Sequence, residues 1–227
     1  MTTRTPDHPA TQKPTAWPHP MVPYIATWSA EQVLKPAVVF DRRRGRIAYG
    51  DEVPADRDSH GALWNRITLR PGQGTPQLGK VHSLRQRRAM RRLLCQVCAG
   101  PADLNEHGML WLLGDYSQDW PNWPHGMATP HPPVCLPCAW KSTRACPHLT
   151  TGFAAVRVKQ YPVVGVYGGI HNPGNPSQGP LIDEVVGYHH PNIRHTIAYQ
   201  LTRQLLDCQP VDLNTEIANA RGRTTAT

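Results

Sequence analysis

Two Cys-x-x-Cys pairs constrain this chain more than any other feature: Cys95-Gln-Val-Cys98 and Cys135-Leu-Pro-Cys138. Thiolate is the soft ligand that Zn²⁺ takes in closed structural sites, and two such turns can bring four sulfurs to one ion at about 2.3 Å. The 36 residues between the pairs exceed the connection of a compact ribbon, and a hairpin with a loop over 104–133 would absorb them. The spacing therefore predicts one structural Zn²⁺ held by Cys95, Cys98, Cys135 and Cys138. A redox dithiol and an iron–sulfur cluster are competing uses of the same thiols, but neither needs a second turn mirroring the first. Cys146, His148 and the histidines His107, His125 and His131 offer further ligands, so the quartet stays open at this point.

The metal reading fits the compartment that the rest of the chain implies. No stretch approaches the roughly 20 apolar residues of a membrane-spanning helix. The first 20 residues are polar and Pro-rich and lack the apolar segment of a secretory signal. A cytoplasmic protein keeps its thiols reduced, which favours metal over disulfides for the six cysteines. With 24 prolines, 18 glycines and two phenylalanines among 227 residues, the chain is expected to have a modest core and many loops.

Charge is unevenly placed. The formal net charge is +8, and 59–102 holds no acidic residue while carrying Arg66, Arg70, Lys80, Arg85, Arg87, Arg88, Arg91 and Arg92. A one-signed block attracts polyanions, with nucleic acid first among them. The bland alternative is a solvated face balanced by acidic neighbours in the fold. The acidic run 51–60 can supply such counter-charges, or hold a hard cation such as Mg²⁺.

Periodicity divides the chain into five segments. Residues 1–20 read as a disordered tail. A β-rich segment covers 21–82, with a short helix opening at Ser29 and a hairpin of 37–40 and 46–49 around an Arg-rich tip. A zinc-binding module covers 83–150. Its lead-in helix begins with Ser83 as cap and puts Arg85, Arg88 and Arg92 on one face, with Arg87 and Arg91 beside it. Leu110–Leu113 reads as a buried strand. The loop 115–133 carries Trp120 and Trp123, which pack the loop or stack on bases. The segment 151–213 is expected to hold two strands, a Gly168-Gly169 turn and an amphipathic helix from about Asn192, because Ile193, Ile197, Leu201 and Leu205 recur every four residues. A frayed tail covers 214–227. The fold class is therefore α+β, small and loop-rich, organised around the four cysteines.

A family resemblance enters on these residues. The stretch Cys95-Gln-Val-Cys98-Ala-Gly-Pro-Ala-Asp-Leu-Asn-Glu106-His107, followed by Val134-Cys135-Leu-Pro-Cys138-Ala-Trp-Lys-Ser142, resembles the zinc-bearing HNH nucleases over about residues 95–142. The resemblance implies a treble-clef fold whose second knuckle opens a helix. It also implies that His107 is the general base, with a second divalent cation beside the scissile phosphate. The chain departs from that pattern where the catalytic ion would be held: Ala139 and Trp140 stand where the family has His or Asn. Gly108 follows His107 in place of an apolar residue, and Asn122 is the available central Asn. The chain as a whole also resembles actinobacterial proteins, a likeness that implies no activity.

Three functions follow. The leading one is a non-catalytic zinc protein, nucleic-acid-binding or regulatory, that contacts DNA or RNA phosphates through Arg85, Arg87, Arg88, Arg91 and Arg92. The second is a divergent HNH-type, metal-dependent nuclease using His107. The third is a protein-interaction factor using the Trp/Pro loop and the N-terminal tail. The sequence contains no Gly-rich phosphate loop, no G-x-S-x-G elbow and no dinucleotide fingerprint.

Overall fold

The computed structural model describes residues 22–150 and 152–224, the last four by backbone alone. The expected tail 1–20 lies outside the described residues. In chain order the elements are β1 Ala26–Trp28, β2 Val38–Asp41, β3 Arg46–Tyr49, β4 Leu63–Trp64, β5 Pro76–Val81, α1 Ser83–Arg92, β6 Leu104–Asn105, β7 Gly108–Gly114 and β8 Ala128–Thr129. There follow α2 Leu136–Ala145, α3 Pro147–Thr150, β9 Phe153–Gln160, β10 Val163–His171, β11 Pro180–Gly187, β12 Thr196–Gln204, β13 Leu206–Val211 and α4 Leu213–Thr224. The class is α+β, mostly sheet with few helices.

The centre is an antiparallel sheet in the order β13-β9-β7-β6. β7 is a near-continuous apolar run, Met-Leu-Trp-Leu-Leu, as a strand covered on both faces must be. Side chains alternate across a strand, so this run feeds two cores. Leu110 and Leu112 face a cluster containing Cys95, Cys138, Val134 and Ala139. Met109, Trp111 and Leu113 face Trp123, Val156, Val158 and Leu205. Arg157 of β9 is fully buried and ion-paired to Asp103 and to Glu216, which clamps α4 onto the sheet. That helix stands where a frayed tail was expected from residue 214.

A second sheet runs β11-β10-β12-β4, with β8 also paired to β12. β4 comes from the N-terminal segment and pairs in parallel with β12, while β7 pairs with β9. Sheet pairing thus crosses the expected limits at 82 and 150. The small sheets β1-β5 and β2-β3 complete the fold. The β2-β3 hairpin has the expected Arg-rich tip.

The helix expected from Asn192 is only a short 3-10 turn over Pro191–His195, and the rest of that stretch is strand β12. A four-residue recurrence is also two strand periods, and Thr196, Ile197 and Thr202 are β-branched, which favours a strand. Thr196, Ala198 and Thr202 on the intervening positions are fully buried, so both faces are covered. The register slips by one residue between Tyr167↔Gln200 and Gly168↔Ala198. This bulge lets Ala198 and Leu201 share one cluster despite their odd spacing. Gly168 and Gly169 lie inside β10 rather than in a turn. A Cβ at Gly168 would come 2.3 Å from the Ile197 carbonyl oxygen, so close strand approach accounts for that glycine. Ser29 opens no helix: its hydroxyl accepts the Thr75 N–H at 2.9 Å, tying β1 to the loop before β5.

Candidate metal centre and the basic helix

The first cysteine pair sits in a tight turn. Cys95 N–H donates to the Gly100 carbonyl at 2.7 Å, Ala99 N–H to the Cys95 carbonyl at 2.9 Å, and Val97 N–H points at the Cys95 sulfur at 3.4 Å. The β6-β7 hairpin follows. The returning chain is fixed by Gln96 N–H on the Pro133 carbonyl, 3.0 Å, and Val134 N–H on the Leu110 carbonyl, 3.0 Å. These bonds bring the second pair beside the first. Cys135 then occupies the N-cap of α2, with a proline in the first turn where a missing N–H costs nothing.

The four sulfurs of Cys95, Cys98, Cys135 and Cys138 all lie within 4.8 Å of one another. A tetrahedron of sulfurs at about 2.3 Å from one ion has edges of about 3.8 Å. The Cys98–Cys135 sulfur separation is 3.8 Å, so the donor set fits such a centre. Cys95 and Cys138 are buried and the other two half-buried. Hydrogen bonds from the Cys135 and Cys138 thiols hold the Cys95 thiol far below its usual range, while the Cys135 and Cys95 sulfurs push Cys138 far above it. The first negative charge forms readily and a further one is opposed by its neighbours. A divalent cation reverses that opposition, because it stabilises every thiolate it binds. Among the described residues no other group of three or more His, Cys, Asp or Glu ligand atoms gathers. Cys146, His148, His125 and His131 stand outside the quartet.

Ala139 and Trp140 occupy the first turns of α2. Ala139 is fully buried under the sulfurs, and the Arg144 guanidinium lies over the Trp140 ring. His107 is in the β6-β7 turn, half exposed, with its Nε2 3.6 Å from the Glu106 carboxylate.

Helix α1 leads directly into the first turn. His82 rather than Ser83 is its N-cap, and Leu93 closes it in the left-handed conformation, its N–H on the Ala89 carbonyl. Arg85 does not face solvent, contrary to its expected role on phosphates. It is 3% exposed and donates to both oxygens of the buried Glu31, at 2.6 and 2.7 Å, and to the Ala26 carbonyl at 2.6 Å. Burial opposes ionisation of Glu31, but the bonds from Arg85 and the Trp28 N–H outweigh it and hold the carboxylate below its usual range. The basic face is therefore made of Arg87, Arg88, Arg91 and Arg92, which are exposed or half-exposed. Among the described residues none of these four is ion-paired, whereas Arg46, Arg57, Arg66, Arg85 and Arg157 all are. The acidic run acts as counter-charge: Asp51 and Asp56 grip Arg66, and Glu52 grips Arg57.

A second constellation, not singled out in the sequence, flanks this face. Asp58 Oδ2 accepts the Trp64 indole N–H at 3.0 Å and the Tyr188 hydroxyl at 2.9 Å, and Oδ1 accepts the His60 and Ala62 N–H groups. Burial, then the Asp58 charge, raises the Tyr188 phenol above its usual range. His60 stacks on Tyr188, and the Arg87 guanidinium sits 4.5 Å over the Trp64 ring. No local signal announces it, because Asp58 and Tyr188 are 130 residues apart.

No helix among the described residues is long and apolar enough to cross a membrane. The chain matches no family model, no curated protein and no solved structure.

Proposed function

We propose that this chain is a nucleic-acid-binding protein in which a structural zinc centre fixes the helix that meets the phosphates. The observation that carries the reading is the face of α1. Four arginines, Arg88, Arg91 and Arg92 exposed and Arg87 half-buried, stand on this one ten-residue helix without carboxylate partners among the described residues. Holding four like charges on ten residues is unfavourable unless a polyanion neutralises them. Arg85 locks the helix to Glu31, and Leu93 hands it to Cys95 two residues later. The sulfur quartet favours Zn²⁺, the common ion for four thiolates in a closed site. The order of turn, hairpin and second pair at a helix start is what a treble clef requires. His107 as a general base would need a second cation beside it. The unpaired arginines favour binding over that reading.

The test is a salt titration of binding to labelled DNA and RNA. Four phosphate contacts predict a slope of log K against log salt of about −3, and Arg88→Ala with Arg92→Ala should reduce it by about 1.5. An unchanged slope, or no binding at low salt, contradicts the proposal.

A further inference from the structure

The constellation opens on a cleft of about 450 Å³ whose lining includes Asp58, Ser59, His60, Arg91, Val163 and Tyr188. That size lies within the ~300–1,000 Å³ of small-ligand sites. We infer that this cleft is a subsite for one nucleotide of a single strand, with its base stacked on His60 and its phosphate on Arg91. The inference rests on the arginine face of α1 being a nucleic-acid surface, which Arg91 belongs to.

Three features argue for it. First, the aromatic platform is built in advance. His60 is exposed and stacks by one face on Tyr188, ring centroids 4.0 Å apart and 16° from parallel. Tyr188 is held by its hydroxyl on Asp58. A base can extend this stack, as bases do on aromatic side chains in single-strand-binding proteins. Second, the charges sort by availability. Arg57 is committed to Glu52 and to the Ile47 and Gly61 carbonyls, and Asp58 accepts four donors. Arg91 is exposed and without an ion pair among the described residues. Arg87, half-exposed on Trp64, adds positive potential next to it. The donors to Asp58 are neutral and leave it charged, but Arg87 and Arg91 together outnumber it, so the net charge at the cleft is cationic. Third, half-buried Val163 gives the cleft an apolar wall, which suits a base edge or a sugar. A paired base in a duplex cannot reach the His60 ring without leaving its stack.

The experiment uses the full metal-bearing chain and fluorescence anisotropy with a labelled oligothymidylate, a duplex of equal length and an abasic strand. The oligothymidylate should bind about fivefold or more tighter than the abasic strand, and His60→Ala should remove about 5- to 150-fold of its affinity. His60→Ala should leave duplex and abasic binding within twofold, while Arg88→Ala with Arg92→Ala weakens all three. Equal binding of the intact and abasic strands, or an unaltered oligothymidylate affinity in His60→Ala, overturns the subsite and leaves the arginine face standing. Failure of every ligand to bind at low salt removes both readings. Competition by micromolar thymidine monophosphate would mark a free-nucleotide site and overturn the strand assignment. Ultraviolet cross-linking gives an independent readout: adducts should map to the peptides carrying His60 or Tyr188, and adducts found only elsewhere overturn the inference.

Discussion

Glu31→Gln tests whether Arg85 holds the basic helix in place or belongs to its binding face. Both side chains of the pair are buried, 4% exposed for Arg85 and fully enclosed for Glu31. The carboxylate accepts two bonds from Arg85 at 2.6 and 2.7 Å, one from the Trp28 N–H at 2.9 Å and one from the Arg70 N–H at 3.1 Å. A glutamine replaces one acceptor oxygen with an NH₂ group aimed at donors, and it leaves the guanidinium as a buried, uncompensated charge. Breaking one partner of such a pair costs about 3–5 kcal/mol, a large part of the ~5–15 kcal/mol that keeps a domain folded. For a chain of this length the melting temperature should fall by roughly 6–20 °C. Urea unfolding of the metal-saturated protein measures the loss. Replacing both partners, Glu31→Leu with Arg85→Met, should cost less than the sum of the single changes, because no charge is stranded. Folded Arg85 variants should also keep the salt slope of nucleic-acid binding, unlike Arg88 and Arg92 variants. A loss below about 1 kcal/mol for Glu31→Gln would refute the assignment of Arg85 to the buried pair.

Acid should weaken the same region. Burial, then the Arg85 charge, lowers the His82 pKa, so the fold holds this ring neutral. Its contribution is complete above the unfolded value near 6.5 and is lost as pH falls below it. Glu31, with a lowered pKa, contributes above the unfolded carboxylate range near 4.3 and is lost as pH falls through its folded value. Urea unfolding across this range should show a falling limb that His82→Gln flattens near pH 6. Gly108→Ala should destabilise by at least about 2 kcal/mol, since a positive φ strains any other residue. There φ is +118°, and the new Cβ would meet the Val158 carbonyl oxygen at 2.4 Å. A thermal melt unchanged by this substitution would contradict the close packing of β7 on β9.

What the sequence disclosed depended on how local each signal was. The cysteine pairs set their own turns, and the apolar run of β7 and the hairpin tip at Asp41–Gly45 were readable for the same reason. The recurrence of Ile197 and Leu201 was ambiguous, because four-residue spacing fits one helix turn and two strand periods alike. The inward turn of Arg85 depends on Glu31, 54 residues away, and no helical-wheel argument contains that partner. The same holds for His60 and Tyr188, whose stack is organised by Asp58. A basic block in a sequence thus mixes arginines used inside the fold with those left for a ligand.

The most direct test of the account is the metal content of the freshly purified full chain, read by native mass spectrometry and elemental analysis. The four-thiolate centre predicts one zinc per chain. Serine at Cys95 or Cys138 should abolish it, and chelation should melt the cluster around Leu110, Val134 and Ala139 together with α1. A structural zinc of this kind contributes on the order of 10–16 kcal/mol, so its loss should unfold this region rather than loosen it. A chain that folds cooperatively with four freely reactive thiols and no metal, or one that keeps its zinc after those substitutions, would contradict the central claim.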